Sequence, residues 1–163
     1  MNIVLVEPEI PQNTGNIART CAATGSSLHL VRPLGFEIND KYLKRAGLDY
    51  WNLLDVNYYN SFEELQEKNA NGKFFYATTK ALYRYDEVKY TDENCFIVFG
   101  KESAGLKEDL LQKNKETCIR IPMIQDARSL NLSNSVSIVL YEALRQNNFE
   151  GLKVEGNLHR LKW

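Results

Sequence analysis

Short apolar runs alternate along the chain with segments whose apolar residues recur every three or four positions. The runs at residues 3–6, 28–31, 74–77 and 95–99 have the pattern of strands buried on both faces of a parallel sheet. A helical spacing links Leu132, Val136, Val139, Leu140, Ala143 and Leu144, and it predicts a last helix that ends near Gln146. This alternation predicts an α/β fold with a mostly parallel sheet flanked by helices.

Capping residues and helix breakers predict where the other elements begin and end. Two prolines in residues 7–12 cannot continue the first strand, so we expect Asn13 to cap the next helix and Gly25 to end it. Short helices are predicted at 40–47, after the capping-box spacing of 61–64, and at 108–113. Residues 55–59 and 119–121 are candidate strands, and Ser129 or Asn131 can cap the last helix.

Length and charge restrict the class of protein without naming a function. One domain, residues 1–163, is the expected organisation for a chain of 163 residues. Its formal net charge of -1 gives no global indication of nucleic-acid binding, so a basic surface has to be local. Three cysteines inside apolar runs predict reduced, buried thiols. With no signal-peptide pattern and no long apolar segment, we expect a cytoplasmic protein that does not enter a membrane.

Three loops that follow apolar strands are the candidate ligand-binding segments. They are residues 78–80, 100–105 and 122–131, and loops after the carboxyl ends of parallel strands line one edge of a sheet. No glycine-rich fingerprint follows the first strand and no Walker-type loop is present, which argues against a standard dinucleotide or triphosphate site. An ordinary capped helix on a polar loop remains an alternative for the last of the three.

Catalysis by histidine or metal has little support in the sequence. His29 lies in a strand, where a packed histidine is the better interpretation, and His159 lies far away in the polar tail. No cluster of potential ligands has a spacing suited to metal binding. Arg19 is a stronger candidate because it lies about two turns into the first helix, so that it can project to the sheet edge where the loops gather. It is either a surface arginine or a planar donor for a phosphate or carboxylate.

Three ordered motifs in this chain resemble those of the SPOUT RNA methyltransferases. They are Asn13-x-Gly15-Asn16-x-x-Arg19, Phe99-Gly100-x-Glu102-x-x-Gly105-Leu106, and residues 121–123 with 129–135, which read IPM and SLNLSNS. The similarity is greatest to the small family that 2′-O-methylates the wobble nucleotide, cytidine or uridine at position 34, of leucine tRNAs. It covers nearly the whole chain, including residues 7–11 and 45–50.

This resemblance implies a fold, a cofactor and an assembly. It implies a SPOUT fold with a deep C-terminal trefoil knot, which is rare in proteins. It implies S-adenosyl-L-methionine as methyl donor, S-adenosyl-L-homocysteine as product, and tRNA as substrate without a metal. It also implies a homodimer in which both subunits shape each site.

The resemblance also assigns roles to individual residues. The catalytic positions would be Arg19, Asn13, Glu102 and Asn131, with Ser129 beside them. The cofactor would contact Thr78, Gly100, Glu102, Ile121, Met123, Ser129 and Leu130. RNA would be bound by Arg19, Lys41, Arg45, Arg128 and Tyr141, and further candidates for a local basic surface are Lys44, Lys80, Arg84 and Arg160.

One part of the second motif departs from the family pattern, and two other functions remain open. Lys101 and Ala104 replace a common proline and arginine, which puts the contacts of that arginine in doubt. Methylation of another tRNA or rRNA nucleotide is one alternative. A non-catalytic RNA- or cofactor-binding module is another, although Arg19, Glu102 and Asn131 together argue against it.

Overall fold

The computed structural model describes residues 1–37, 54–91 and 94–163. Its strands are β1 (Asn2–Val6), β2 (Ser27–Val31), β3 (Val56–Tyr59), β4 (Lys73–Ala77), β5 (Tyr83–Arg84), β6 (Cys95–Phe99) and β7 (Cys118–Arg120). They form one sheet with the order β3-β2-β1-β6-β4-β7-β5, and every pair of neighbouring strands is parallel. The predicted α/β class with a parallel sheet is therefore confirmed.

Four helices are described around this sheet. They are α1 (Pro11–Thr24), α2 (Phe62–Lys68), α3 (Glu108–Lys113) and α4 (Leu132–Gln146), and a short 3-10 helix at Lys115–Thr117 precedes β7. Each of the four α-helices matches a predicted helix, whereas the 3-10 helix was not predicted. The basic helix expected at 40–47 lies outside the described residues. None of the described helices is both long and apolar enough to cross a bilayer.

The central strands alternate their side chains between two apolar layers. Ile97 and Phe99 of β6 point to the layer formed with α1 and α4, whereas Phe96 and Val98 point to the layer formed with α2 and α3. All five residues of β6 are buried, as the uninterrupted apolar run predicts for a strand covered on both faces. Covering the sheet on both faces leaves its edge, where the strands end, as the place for a cavity.

The start of α1 differs from the prediction. Ile10 occupies the cap position, its side chain makes no capping bond, and Pro11 is the first helical residue. Asn13 was expected to cap the helix, but it lies inside the first turn. Proline suits this position because the first helical N–H has no partner within the helix. The Asn13 side chain is thereby left for contacts outside its own helix.

The start of α4 follows the prediction. The Asn131 side chain accepts hydrogen bonds from the backbone N–H of Ser133 at 2.9 Å and of Asn134 at 3.4 Å. Of the two capping candidates, Asn131 rather than Ser129 therefore caps the helix. The predicted inner face is buried from Val136 to Leu144, and it packs against α1 and the sheet.

Strand β7 lies between β4 and β5, although β4 and β5 are joined by the short segment 78–82. On one side the N–H of Thr78 donates to the carbonyl of Ile119 at 2.9 Å, and on the other the N–H of Tyr85 donates to the carbonyl of Arg120 at 2.9 Å. The chain after residue 117 therefore passes between two strands that were already connected. The polar, exposed pair that forms β5 was not predicted as a strand.

Candidate cofactor and catalytic site

The loops that follow β4, β6 and β7 enclose one cavity of about 460 Å³ at the carboxyl edge of the sheet. These strands are neighbours in the order β6-β4-β7, so the loops begin side by side. Residues from the first turn of α1 and from the start of α4 complete the wall. The expectation that the three loops gather at one edge is met.

All seven residues assigned to cofactor contact by resemblance line this cavity. Thr78 follows β4, Gly100 and Glu102 follow β6, Ile121 and Met123 follow β7, and Ser129 and Leu130 precede α4. The structure thus brings the set together from positions 52 residues apart, from 78 to 130. Their roles as cofactor contacts stay predictions.

Three of the four candidate catalytic residues are joined by side-chain hydrogen bonds. The Asn131 amide donates to the Asn13 side-chain oxygen at 2.9 Å, and the Asn13 amide donates to the Glu102 carboxylate at 2.9 Å. All three side chains lie at the cavity wall. This chain of contacts connects the beginning of α4, the first turn of α1 and the loop after β6.

The Glu102 carboxylate also binds the backbone just before α1. Its oxygens accept from the N–H of Glu9 at 2.8 Å and from the N–H of Ile10 at 3.2 Å. A negative charge is favourable at this place, since the N-terminus of a helix carries partial positive charge and free N–H groups. Glu102 therefore fixes the backbone of the two residues that lead into α1.

Arg19 is placed differently from the other three candidates. It lies on the exposed side of α1, six residues beyond Asn13 or about 9 Å along the helix axis. It is not among the residues that line the cavity of its own chain. Its catalytic role stays a prediction, and any contact with a reacting group has to come from beside the cavity rather than from its wall.

The turn at residues 100–105 needs both of its glycines. A Cβ on Gly100 would overlap the backbone of Gly105, and Gly105 has a φ of +69°, which L side chains rarely adopt. The N–H of Gly105 donates to the carbonyl of Lys101 at 2.8 Å and closes the turn. The absence of a side chain at Gly100 therefore makes room for the backbone of Gly105, and both glycines line the cavity.

A second group of contacts ties this turn to the segment after β1. The Glu9 carboxylate accepts from the N–H and from the hydroxyl of Ser103, each at 2.9 Å. The hydroxyl and then the backbone N–H of Ser103 hold the pKa of Glu9 below its usual value. Lys101 forms an ion pair with Glu7 at 2.9 Å. The lysine that departs from the motif thus has a partner in the preceding segment.

The comparisons with known proteins agree with these motifs. The model of the SpoU rRNA Methylase family matches residues 1–141. The chain belongs to this family. A relative from Listeria innocua, provisionally named tRNA (cytidine(34)-2′-O)-methyltransferase, is 55% identical over 161 residues, covering 98% of this chain and 95% of its own.

Solved structures of related methyltransferases share the fold. A structure described in terms of the 2-OH methylation of C/U34 on tRNA is 42% identical, with a TM-score of 0.85, and the match covers 90% of this chain and 95% of that chain. An AdoMet-bound rRNA methyltransferase from Sinorhizobium meliloti is 25% identical, with a TM-score of 0.79, over 88% of this chain and 55% of that chain. The recognition of an RNA methyltransferase of this class from its motifs is confirmed.

The residues that the resemblance assigns to RNA are only partly placed on this SpoU-family fold. Lys41 and Arg45, together with Lys44, lie outside the described residues. Arg128 is exposed on the loop before α4, and Tyr141 is 49% exposed on α4. Neither lines the cavity. Their contact with RNA stays a prediction.

Two other cations proposed for a basic surface form exposed ion pairs with carboxylates of this chain. Lys80 pairs with Glu108. Arg84 pairs with Asp86 at 2.9 Å and with Glu87 at 3.5 Å. These contacts reduce the charge that either side chain offers to a phosphate.

His29 is a packed residue rather than a catalytic one. It is 5% exposed, and its ring nitrogens lie 3.1 Å from the Tyr59 hydroxyl and 3.2 Å from the Asn2 side-chain oxygen. Burial lowers its pKa to about 4. The structural interpretation of His29 is confirmed.

The cysteines and the carboxylates suggest no further chemistry in this family member. Cys21, Cys95 and Cys118 are all buried, as expected, and burial raises the pKa of Cys21 to about 12. Among the described residues, no three histidines, cysteines or carboxylates are grouped in a way that could hold a metal ion.

Several wall residues were not identified from the sequence. Ser103 is the most informative, because its contact with Glu9, which is not a lining residue, joins two loops that lie 94 residues apart. The available signal was Glu9, a carboxylate three residues after the end of β1. Its partner could be found only after the order of β1 and β6 in the sheet was known.

Proposed function

We propose that this SpoU-family protein transfers a methyl group from S-adenosyl-L-methionine to the ribose 2′-hydroxyl of nucleotide 34, a cytidine or uridine, in tRNA. Leucine tRNAs are the proposed substrates. The observation that carries the proposal is the single cavity at which all three motif loops meet. The relative from Listeria innocua and the structure concerned with C/U34 methylation support the choice of nucleotide.

The cavity fits a cofactor of this kind. Its volume is within the range of sites for small organic ligands, about 300–1,000 Å³. Thr78, Gly100 and Ile121, which follow Ala77, Phe99 and Arg120, line it, and so does Gly105 at the other end of the turn. When bound, S-adenosyl-L-methionine would supply an electrophilic methyl group and leave as S-adenosyl-L-homocysteine. Gly100, Ile121, Met123 and Leu130 would hold it in place.

The chain's own residues would orient the ribose and help its hydroxyl lose a proton. Asn13 and Asn131 hold the starts of two helices together at the cavity wall, which fixes the geometry that the transfer needs. We assign Arg19 the role of a positional and electrostatic clamp, which holds a substrate phosphate and stabilises the developing alkoxide. A guanidinium is always protonated in proteins, so it is a poor general base.

A second copy of the chain would account for the apolar surface of α4. Ile138 and Tyr141 are 36% and 49% exposed on this helix, and Ile10 at the cavity wall is 41% exposed. We propose a homodimer that covers these side chains and brings Arg19 of one subunit close to a shared RNA surface. Sedimentation tests the assembly: we expect a dimer for the wild-type protein and a weakened dimer for Ile138→Asp. A monomeric wild-type protein would contradict the proposal.

The proposed fold includes the deep trefoil knot of SPOUT enzymes. Its support is the position of β7, which lies between two strands joined by residues 78–82. A chain that passes through such a closed segment and continues into a long helix has the arrangement that a knot requires. The proposed location is the cytoplasm, where tRNA is modified.

The decisive experiment maps ribose methylation in tRNA from cells with and without the gene. We expect the 2′-O-methyl group at position 34 of leucine tRNAs to disappear in the deletion strain and to return with the wild-type gene. Transfer of radioactive methyl groups to leucine tRNA by the purified protein is the matched test in vitro. Loss of methylation at a different tRNA or rRNA nucleotide would favour the second substrate class. Cofactor binding with no transfer to any RNA would indicate a binding module.

A further inference from the structure

The loops after β1 and β6 exchange side-chain hydrogen bonds in both directions. Glu102, after β6, accepts from the N–H groups of Glu9 and Ile10 at 2.8 and 3.2 Å. Glu9, after β1, accepts from the N–H and the hydroxyl of Ser103, each at 2.9 Å. Each loop therefore supplies a carboxylate whose two oxygens both accept hydrogen bonds from the other loop.

These bonds act at the point where the sheet no longer fixes the two loops. Strands β1 and β6 are paired up to Leu5 and Phe99. Beyond that point the described ladder stops, while the turn 100–105 continues into the wall of the cavity. Without further contacts, the position of the turn relative to α1 would depend on its own stiffness alone.

We propose that Glu9 and Ser103 are positioning residues that set the turn 100–105 in the shape required for cofactor binding. The proposal rests on the function proposed above. Glu9 accepts two hydrogen bonds, and bonds to a charged acceptor are stronger than those between neutral groups. The lowered pKa of Glu9 agrees with a carboxylate that stays charged near neutral pH. The ion pair between Lys101 and Glu7 is a second, partly exposed connection between the same loops.

The position of Ser103 explains why its contact with Glu9 affects the shape of the cavity. Ser103 lies midway between Gly100 and Gly105, whose closely packed backbones form the tight part of the turn. Ser103 and its neighbours on both sides line the cavity. Holding Ser103 from outside therefore restricts the turn without placing the Glu9 side chain in the space that the cofactor needs.

Amide hydrogen exchange on the cofactor-free protein tests whether Glu9 and Ser103 hold the turn 100–105 in place. We expect Glu9→Ala to accelerate exchange at Ser103 and Gly105 about tenfold, and Ser103→Ala to have a smaller effect, because it removes one bond of two. Ser103→Thr keeps both donors and should restore slow exchange. Glu67→Ala removes an exposed carboxylate on α2 and is the matched control. Unchanged exchange in Glu9→Ala would overturn the proposal.

Calorimetry and kinetics with S-adenosyl-L-methionine test whether the position of this turn matters for cofactor binding. We expect Glu9→Ala to weaken cofactor affinity about tenfold and to raise its KM by more than it lowers kcat, while the melting temperature stays close to that of Glu67→Ala. Faster exchange with unchanged cofactor affinity would overturn the positioning role. A wild-type protein that binds no cofactor would contradict the proposed function, whereas the exchange data alone would still decide whether Glu9 orders the turn.

Discussion

The side-chain amide of Asn131 donates a hydrogen bond to the side-chain oxygen of Asn13 at 2.9 Å, across 118 residues of sequence. Asn131 also caps α4, and Asn13 also donates to Glu102. One pair of amides therefore connects the first and the third motif of the chain, with the second motif as its neighbour.

Replacing either asparagine should cost stability. We expect Asn131→Ala to lower the free energy of unfolding by about 1–2 kcal/mol, because it removes a helix cap and leaves Asn13 without its donor. Asn13→Ala should cost a similar amount, and the double variant less than the sum, since the two side chains contact each other. Urea denaturation measures each value. Asn134→Ala, an exposed position on the same helix, is the control. A double variant whose cost equals the sum of the two single costs would contradict an energetic coupling between the two side chains.

Removing the Arg19 guanidinium should separate catalysis from cofactor binding. We expect Arg19→Ala to reduce kcat for tRNA methylation by about 10²–10³-fold, the usual loss when a group that stabilises developing charge is removed. Cofactor affinity should stay within twofold, because Arg19 does not line the cavity. Lys113→Ala, which removes a charge from α3, is the control. Unchanged turnover would rule out the clamp.

A methyl group at Gly100 should distort the turn that lines the cofactor site. The Cβ of Gly100→Ala would overlap the backbone of Gly105, so the turn has to move. We expect cofactor affinity to fall at least tenfold in calorimetry. Gly156→Ala is the matched control, because nothing lies within 4 Å of its added Cβ. A Gly100→Ala protein with normal affinity would show that the turn does not contact the cofactor.

Burial of His29 should make the protein less stable in mild acid. Its pKa is about 4 in the folded chain and about 6.5 when unfolded, so the unfolded state binds more protons between these values. Stability from this group is present above pH 6.5 and is lost as the pH falls towards 4. Between pH 7.5 and 5.5 we expect the loss to be about 1.4 kcal/mol. Urea denaturation at both values should show a smaller loss for His29→Gln, while His159→Gln, in the exposed tail, should behave like wild type.

RNA affinity should depend on salt and on Arg128. Binding through phosphates releases counterions, so the logarithm of affinity should fall linearly with the logarithm of salt concentration. We expect Arg128→Ala to weaken tRNA binding and to reduce that slope by about 1. Filter binding of leucine tRNA at several salt concentrations measures both values, with Lys113→Ala as the control. An affinity independent of salt would contradict a basic RNA surface.

The sequence predicts the parts of this fold whose cause is local. Apolar runs identified β1, β2, β4 and β6, and the spacing from Val136 to Leu144 identified α4 with its buried face. Strand β5 was missed, because two exposed residues have no pattern of their own and become a strand only by pairing with β7. Asn13 was misassigned as a cap because Pro11 begins the helix two residues earlier.

The same distinction between local and long-range causes holds for the candidate site. Turn and cap signals identified the lining residues Gly100 and Asn131, because turns and caps have recognisable residues, and the resemblance identified Glu102. The contact between Glu9 and Ser103 could not be predicted, since it depends on β1 and β6 being neighbours in the sheet. Arg19 was a candidate from its place in the first helix and from the resemblance, but only the structure shows that it does not line the cavity.

The insertion of β7 between β4 and β5 affects when this protein can first bind a ligand during its synthesis. Among the described strands, β5 pairs with β7 alone, so it has no neighbour until residues 118–120 leave the ribosome. Ile121, Met123, Leu130 and Asn131 reach the wall later still. A nascent chain that already contains the first two motifs therefore lacks part of the cavity wall, and ligand binding requires that synthesis has passed the start of α4.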